Sequence, residues 1–314
     1  MLEWKVESRK SRMSTNPNPL PQGVHVQTID RFGVLLVAGS ALAWSMGGMI
    51  DRFIDAPDTW TVVFWRSVWA AAFLLTFLLL RDGRKAPEAF KAMGWPGLVV
   101  ALCFMTASIS FVQAIALTTV ANVILINATV PLVAALIARI FLGEMISGAT
   151  WAAIGAVIAG VAIMVSDGTG GASSLTGNLL ALLITFVFAI ATVVTRRHSN
   201  VRMTPAVITA TTLAAIVAAT QATGFHVSGH DMGWLFAFGA LNLGLGMAMF
   251  VTGARLIPSA LAALLGTLET VLGPVWVWLV HGEKASIMTV IGGAIVMAAL
   301  IFHLIVSNRP RPSA

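Results

Sequence analysis

The feature that most constrains this chain is a series of apolar segments, each about as long as a membrane is thick. A helix that spans a membrane needs about 20 mostly apolar residues, and ten segments meet this requirement. Because these segments fill nearly all of the sequence after residue 31, we expect an all-α membrane protein with ten transmembrane helices and no separate soluble domain. The predicted segments are 32–54, 58–80, 93–117, 120–142, 147–166, 177–196, 203–223, 231–254, 259–281 and 285–306.

The overall composition agrees with this class. The chain of 314 residues is 58% hydrophobic and 10% charged, whereas soluble domains carry about 25% charged residues. The net charge of +6 does not indicate a nucleic-acid partner, because the basic residues lie between the apolar segments, as charges that flank a membrane do. The single cysteine, Cys103, cannot form an internal disulfide. The lipid bilayer is therefore the expected surroundings.

The Lys and Arg residues also predict an orientation. With ten crossings, all of the 19 Lys and Arg residues except Arg52, Arg66 and Lys284 fall on the side of the N-terminus. Positive charge marks the cytoplasmic side, so both termini are predicted to be cytoplasmic, in a bacterial inner (plasma) membrane. Residues 1–31 and 307–314 are predicted to be polar tails, the first of them disordered, and residues 1–30 lack the apolar core of a signal peptide.

The sequence repeats itself. Residues 111–147 align with residues 250–286 at a constant offset of 139 without a gap, and Gly143-Glu144 falls on Gly282-Glu283. Residues 33–52 align with 177–196 at an offset of 144. We therefore predict two five-helix repeats, residues 32–166 and 177–306, joined by a loop at 167–176. Because five is odd, the second repeat starts from the opposite face. Inverted repeats are typical of transporters with one site near the midplane.

These residues resemble the EamA branch of the drug/metabolite transporter superfamily over residues 32–306. The resemblance implies transport of small metabolites, amino acids and vitamins among them, without ATP hydrolysis, and the sequence contains no G-x-x-x-x-G-K-[ST] loop. Where the family commonly has Glu-Pro in helix 9, this chain has Glu269-Thr270. The features that carry the resemblance are the 5+5 duplication, "FLGE" (141–144), "VHGE" (280–283), Trp65-Arg66, Pro131 and Glu269.

Glu269 and Arg66 are the charged candidates for a substrate or proton site. Glu269 lies about ten residues from either end of its apolar segment, at a depth where ionisable groups are costly and are usually functional. Arg66 lies about one helical turn closer to the outer face, within reach of Glu269. We expect either that the two pair with each other or that Arg66 binds a substrate carboxylate. The alternatives are a structural carboxylate and an arginine that reaches the interface.

Four uncharged residues complete the predicted site. Asn127 occupies the repeat counterpart of the helix that carries Glu269, and Gln113, Asn242 and Trp44 lie within other segments. Amide side chains of this kind can line a cavity, but they also join helices through hydrogen bonds. Trp44 can stack on a planar or cationic substrate, or it can simply fill the core.

A second set of residues is predicted to have structural roles. Glu144 and Glu283 occupy equivalent helix ends, where we expect each to cap or to bond the start of a neighbouring helix. Pro131 and Pro274 are candidate sites for helix distortion. The aspartates of "DRFIDAPD" (51–58) are expected to form a solvated loop in which Asp58 caps the next helix. We therefore predict no metal site and no cofactor.

The resulting prediction is a secondary transporter of small organic metabolites that works by alternating access. The first expectation is an exporter of amino acids or related metabolites, and the alternative is an importer of a nutrient or vitamin such as riboflavin. An intramembrane enzyme would need a convergent motif such as H-E-x-x-H, which the sequence lacks. A receptor or structural protein would need neither repeat nor mid-span carboxylate. Proton coupling through Glu269 is a hypothesis, and the sequence leaves the substrate and oligomeric state open.

Overall fold

The structure is a computed structural model of the chain. It describes residues 30–143, 145–146, 148–166, 174–198, 200–254, 256–257 and 259–307. The regular elements within these ranges are all helical. Residues 1–29 and 308–314 of the predicted tails, residues 167–173 of the predicted loop, and Glu144 lie outside the described residues, whereas Arg31, predicted to end the first tail, begins a helix.

The long helices are labelled α1 to α10 in chain order. We call the end of the bundle where α1 begins the tail end, and the opposite end the far end. The helices are α1 Arg31–Ser45 with its continuation Gly47–Asp51, α2 Thr59–Asp82, α3 Gly94–Leu117, α4 Val120–Asn127 with Val130–Leu142, α5 Gly148–Ser166, α6 Leu175–Arg197, α7 Thr204–Gln221, α8 Gly229–Gly253, α9 Ser259–His281 and α10 Ile287–Ser307.

These bounds lie close to the predicted segments. The outer limits of α4 and α9 coincide with the prediction, while α1 ends at Asp51 rather than residue 54 and α6 begins at Leu175 rather than residue 177. The structure adds a short helix, Ala86–Ala92, between α2 and α3. Apolar length alone therefore located the helices to within a few residues.

In the described part of the chain, seven helical stretches are long and apolar enough to cross a membrane: Arg31–Asp51, Thr59–Ala92, Gly94–Leu117, Val120–Phe141, Leu175–Thr195, Thr204–Gln221 and Gly229–Gly253. Three apolar stretches in α5, α9 and α10 are shorter: Gly148–Met164, Leu268–His281 and Ile287–His303. The chain is thus an all-helical, multi-pass membrane protein by length and composition.

Short polar side chains fix where several helices begin. The Asp58 carboxylate accepts a hydrogen bond from the Thr61 N–H, as predicted for a cap of α2, and Asp30 caps α1 in the same way. Thr119 caps α4 and Ser174 caps α6 through their hydroxyl oxygens. Each cap satisfies an N–H that has no partner within its own helix.

Among the described helices, α1 is interrupted at Met46, and α4 and α8 also depart from regular α-helical geometry within their spans. In α4 the helix stops after Asn127 and restarts at Val130, because Pro131 has no N–H to continue the ladder. The Ile126 carbonyl near the break accepts hydrogen bonds from the hydroxyls of Thr129 and Thr185. In α8 a π-helical stretch covers Ala237–Leu245. Such stretches occur frequently at functional sites.

The packing of the helices follows the repeat. Helix α1 packs on α8 and α9, and its repeat counterpart α6 packs on α3 and α4. Helix α2 packs on α8 as α7 packs on α3, while α2 with α7, α4 with α9 and α5 with α10 pair across the two halves. Exchanging the two sets of five helices leaves this pattern unchanged. The two-repeat architecture is therefore present in the fold as well as in the sequence.

Glycines allow two features of this packing. Helices α5 and α10 approach so closely that a Cβ on Gly160 would lie 2.7 Å from the Gly292 carbonyl oxygen. Small residues permit this kind of contact between membrane helices. Gly143 and Gly282 end α4 and α9 with the same φ of 68°, the left-handed conformation that favours glycine at a helix end. The repeated Gly-Glu motif thus has a repeated backbone role.

Candidate functional site

A central cavity of about 190 Å³ lies between the two halves of the molecule. It receives residues from α1, α2, α3 and α4 of the first half and from α6, α7, α8 and α9 of the second. On α7 it reaches Val207, near the tail-end start of that helix. Its lining is Trp44, Arg66, Phe104, Ala107, Ser108, Phe111, Asn127, Ile184, Phe188, Val207, Ala210, Thr211, Asn242, Leu243, Met247 and Glu269.

Arg66 is the cation of this cavity. It lies in the first half of α2 and is only 6% exposed. One nitrogen, Nη1, donates a hydrogen bond to the Ser108 hydroxyl at 2.9 Å, and the guanidinium carbon lies 4.4 Å from the centre of the Phe238 ring. Nε is buried and has no hydrogen-bond partner among the described residues. A guanidinium held this way retains donor capacity for an anionic ligand.

Glu269 enters the same cavity from the middle of α9. Within the described part of the chain, no ion pair within 4.0 Å joins Glu269 to Arg66. Of the two expected roles of Arg66, direct pairing with Glu269 is not seen, because Arg66 is turned toward Ser108 and the face of Phe238. The two opposite charges therefore face a shared space.

Residues that line the central cavity carry polar atoms without hydrogen-bond partners among the described residues. Within the described ranges, the indole Nε1 of Trp44 and the Oδ1 of Asn127 are buried without hydrogen-bond partners, as is Nε of Arg66. Buried polar atoms are normally bonded, and each exception needs an explanation. Because all three atoms belong to residues of one cavity, a polar ligand in that cavity would explain them together.

Asn242 lies in the π-helical stretch of α8 and lines the cavity, but its amide donors are already used. Its Nδ2 donates hydrogen bonds to the carbonyl oxygens of Ala43 at 2.6 Å and of Trp44 at 3.2 Å. These carbonyls lie just before the interruption of α1 at Met46. The contacts favour a role in holding Trp44 in place, with only the amide oxygen left to face a ligand.

Gln113 is the one predicted site residue that does not line the central cavity. It lies closer to the far end of α3, where its Oε1 accepts a hydrogen bond from the Thr59 hydroxyl at 2.7 Å. The structure therefore brings together Glu269, Arg66, Asn127, Asn242 and Trp44 and leaves out Gln113. Depth along one helix, which is all the sequence supplies, does not fix which side of that helix faces the cavity.

Several lining residues were not predicted. Ser108 orients Arg66, and the aromatic rings of Phe104, Phe111 and Phe188 form much of the remaining wall. Phe104 and Phe188 meet edge to face at 5.0 Å between ring centres. Serine and phenylalanine are common in membrane helices, so nothing in their spacing marked these positions.

Glu283 bridges several elements at the far end. Its Oε1 accepts a hydrogen bond from the Val120 N–H at 2.9 Å, and its Oε2 lies 3.1 Å from Nε of Arg52. Arg52 also donates to the Ile115 carbonyl at 2.8 Å. Glu283 thus bonds the start of the neighbouring helix α4, which is the kind of contact expected from the repeat. Its counterpart Glu144 lies outside the described residues.

Other contacts join the two halves at the same end. The Asp231 carboxylate accepts a hydrogen bond from the Asp55 N–H at 3.1 Å, and Asp58 accepts bonds from Thr223. Desolvation opposes ionisation of Asp58, but hydrogen bonds from Thr223 and from the Thr61 and Trp60 N–H groups outweigh it, so its pKa lies below the usual value. These polar contacts therefore tie the two halves together at the far end.

The two predicted distortions behave differently. Pro131 follows the interruption of α4, beside Asn127 and the cavity. Pro274 lies inside α9, which continues through it as one helix from Ser259 to His281. The neighbouring Gly273 packs on Ile124 of α4, so tight packing supports α9 at this point. Proline therefore marks a break in one repeat only.

The sequence matches the model of the EamA-like transporter family at residues 31–166 and 175–305. No curated protein matches it in a sequence comparison. Among solved structures 22 chains match, and one crystal structure superposes with a TM-score of 0.61 at 17% identity, covering 88% of this chain and 98% of its own. At this identity the likeness shows the fold alone.

Proposed function

The chain belongs to the EamA-like transporter family, and from this premise we propose that it is a secondary transporter of small organic metabolites that works by alternating access without ATP. The observation that carries the proposal is the central cavity, in which a buried Arg66 from one repeat and Glu269 from the other face the same space. A site between two repeats is what a transporter of this architecture requires.

The two charges favour a zwitterionic substrate. A carboxylate can pair with the guanidinium of Arg66, whose planar fork suits that group, and an ammonium group can pair with Glu269. Three phenylalanines and Trp44 supply an apolar wall between them. A cavity of about 190 Å³ is smaller than the roughly 300–1,000 Å³ that drug-sized ligands occupy. We therefore propose an amino acid or a related metabolite, exported from the cell.

We further propose that all ten helices cross the membrane as two inverted repeats, residues 32–166 and 177–306. The shorter apolar stretches in α5, α9 and α10 support this count, because each is the repeat partner, or the neighbour, of a full-length span. The distribution of Lys and Arg supports a cytoplasmic tail end and a bacterial inner membrane. In this orientation the far end, where polar contacts join the halves, faces outward. The tail end, toward which the central cavity extends at Val207, faces the cytoplasm, from which an exporter is loaded.

The test is exchange of labelled substrate by the purified protein in liposomes. We expect saturable exchange of at least one amino acid, lost in Arg66→Met and in Glu269→Gln. Asn178, a buried amide away from the cavity, supplies the control Asn178→Ala, which should lower stability without abolishing exchange by the folded fraction. No exchange of any amino acid, together with uptake of a vitamin such as riboflavin, would favour the alternative of an importer.

A further inference from the structure

A second cavity of about 220 Å³ adjoins the central one. It lies between α4, α9 and α10, and it shares two lining residues with the central cavity, Asn127 and Glu269. Glu269 is therefore accessible from two separate spaces. The lining of the second cavity is Ile124, Asn127, Ala128, Val130, Pro131, Gly266, Glu269, Thr270, Leu300 and His303.

The polar groups of the second cavity suit water. Glu269, Thr270 and His303 contribute polar side chains, and the Oδ1 of Asn127 is buried without a partner in the described part of the chain. A water molecule needs two to four polar partners and about 30 Å³ of liquid volume. A space of about 220 Å³ is roomy enough for several molecules. A row of hydrogen-bonded water molecules in this cavity can carry protons. The second cavity would not hold an organic substrate as firmly as the central cavity, which has aromatic walls.

His303 connects this cavity to the tail end. It lies four residues before Ser307, where α10 ends, which is about 6 Å along a helix. Its Nδ1 lies 3.4 Å from the Thr150 hydroxyl near the start of α5. Histidine changes charge near neutral pH and commonly serves as a proton shuttle. The tail-end part of the lining of the second cavity thus carries the side chain best suited to pass protons.

The charged and titratable groups around Glu269 are few. Arg66 faces it across the central cavity, and His303 of α10 faces it across the second. On the helices that pack against α9, Arg31 lies in the first turn of α1 at the tail end, and Asp51 and Arg52 lie at its far end. Arg139 lies in the last turn of α4, and none of these residues lines either cavity. Among the described residues, His303 is therefore the titratable neighbour of Glu269 on the side away from Arg66.

We propose that Glu269 exchanges protons with the tail-end solution through the second cavity, with His303 as the relay, while substrate occupies the central cavity. The His303 imidazolium gives a proton through water to the Glu269 carboxylate and then takes a new proton from the solution. The reverse sequence releases the proton. Substrate and proton thus reach one carboxylate by different routes. Only the biological role of this proton path rests on the proposed transport function, because proton exchange at Glu269 can be measured without any substrate.

The experiment follows the carboxyl C=O band of Glu269 by infrared spectroscopy of the full-length protein in membranes. The band is assigned by its loss in Glu269→Gln, and its shift is timed after transfer to D2O. Gly266→Phe is the blocking variant, because a side chain added at Gly266 meets nothing within 4 Å and would project into the second cavity. Gly155→Phe is the matched control, since Gly155 also has open space around it but lines neither cavity.

We expect His303→Phe and Gly266→Phe each to slow the deuterium shift at least tenfold, while Gly155→Phe leaves the rate unchanged. Wild-type rates in both test variants would overturn the proposal and would mean that protons reach Glu269 through the central cavity. The substrate-exchange assay in liposomes is run in parallel. Its failure in the wild type, with the infrared result as expected, would refute the proposed transport of amino acids and leave the proton path standing.

Discussion

Replacing Arg66 with methionine separates a ligand-binding arginine from a structural one. In the protein without ligand, the charged guanidinium donates one hydrogen bond to the Ser108 hydroxyl, worth about 1.5–3 kcal/mol, and contacts the Phe238 ring, worth about 2 kcal/mol when desolvated. Against these stands the desolvation of a buried ion, which costs several kcal/mol. The terms nearly cancel, so Arg66→Met should change the free energy of unfolding without ligand by no more than about 1 kcal/mol.

Ligand binding should respond much more strongly. Removing one partner of a buried charge pair costs about 2–5 kcal/mol, and each 1.4 kcal/mol corresponds to about a tenfold change in Kd. An anionic or zwitterionic substrate should therefore bind Arg66→Met at least about 30-fold more weakly. Arg66→Lys keeps the charge but not the planar guanidinium, so its affinity for the substrate should fall between the affinities of the wild type and of Arg66→Met.

The assay is thermal unfolding of the purified protein with and without an amino acid that stabilises the wild type. A ligand stabilises the state that it binds, so the shift should disappear in Arg66→Met while the melting temperature without ligand stays near that of the wild type. Arg52→Met is the contrasting control, because it leaves the paired carboxylate of Glu283 behind. If Arg66→Met without ligand lost about 3–5 kcal/mol in its free energy of unfolding, which is typical of breaking a buried ion pair, the reasoning would be refuted.

Three further predictions concern stability. Gly292→Leu should cost about 1–3 kcal/mol in thermal unfolding, because its Cβ would meet the α5 backbone, while Gly155→Leu should be neutral; equal effects would contradict the packing. Arg52→Met and Glu283→Gln should show a coupling of about 0.2–1 kcal/mol in a double-mutant cycle, and a coupling of zero would contradict the ion pair between Arg52 and Glu283. The pKa of Asp58 is lowered in the folded state, so its contribution to the free energy of unfolding is present at neutral pH and is lost as the pH falls below about 4. Asp58→Asn should therefore weaken the dependence of the free energy of unfolding on acidic pH. An unchanged acid dependence in Asp58→Asn would contradict this prediction.

The candidate site was predictable where a residue is unusual for its surroundings. Glu269 and Arg66 stand out because charge is expensive within an apolar segment, and both line the central cavity. Asn127 was found through the repeat, which placed it opposite the helix of Glu269. Gln113 had the same appearance in the sequence but bonds Thr59 instead. Polarity alone therefore does not distinguish a cavity residue from one that joins two helices.

The second cavity was not predictable. It depends on where His303 of α10 and Glu269 of α9 lie relative to the break in α4, and these helices are far apart in the sequence. The same holds for the orientation of Arg66, which Ser108 of α3 and Phe238 of α8 decide jointly. Such arrangements follow from the rotation of each helix about its axis, which close contacts such as that of Gly160 with Gly292 set.

The sequence by itself determined the helices, the repeat and the family, because in a bilayer each helix must satisfy its own backbone hydrogen bonds and so carries its signal in a continuous apolar stretch. Only the tertiary structure decided which side chains meet. It turned Arg66 away from Glu269, placed both on one cavity and opened Glu269 to a second cavity beside His303. Those contacts join residues from helices that share no local sequence, so no single segment records them.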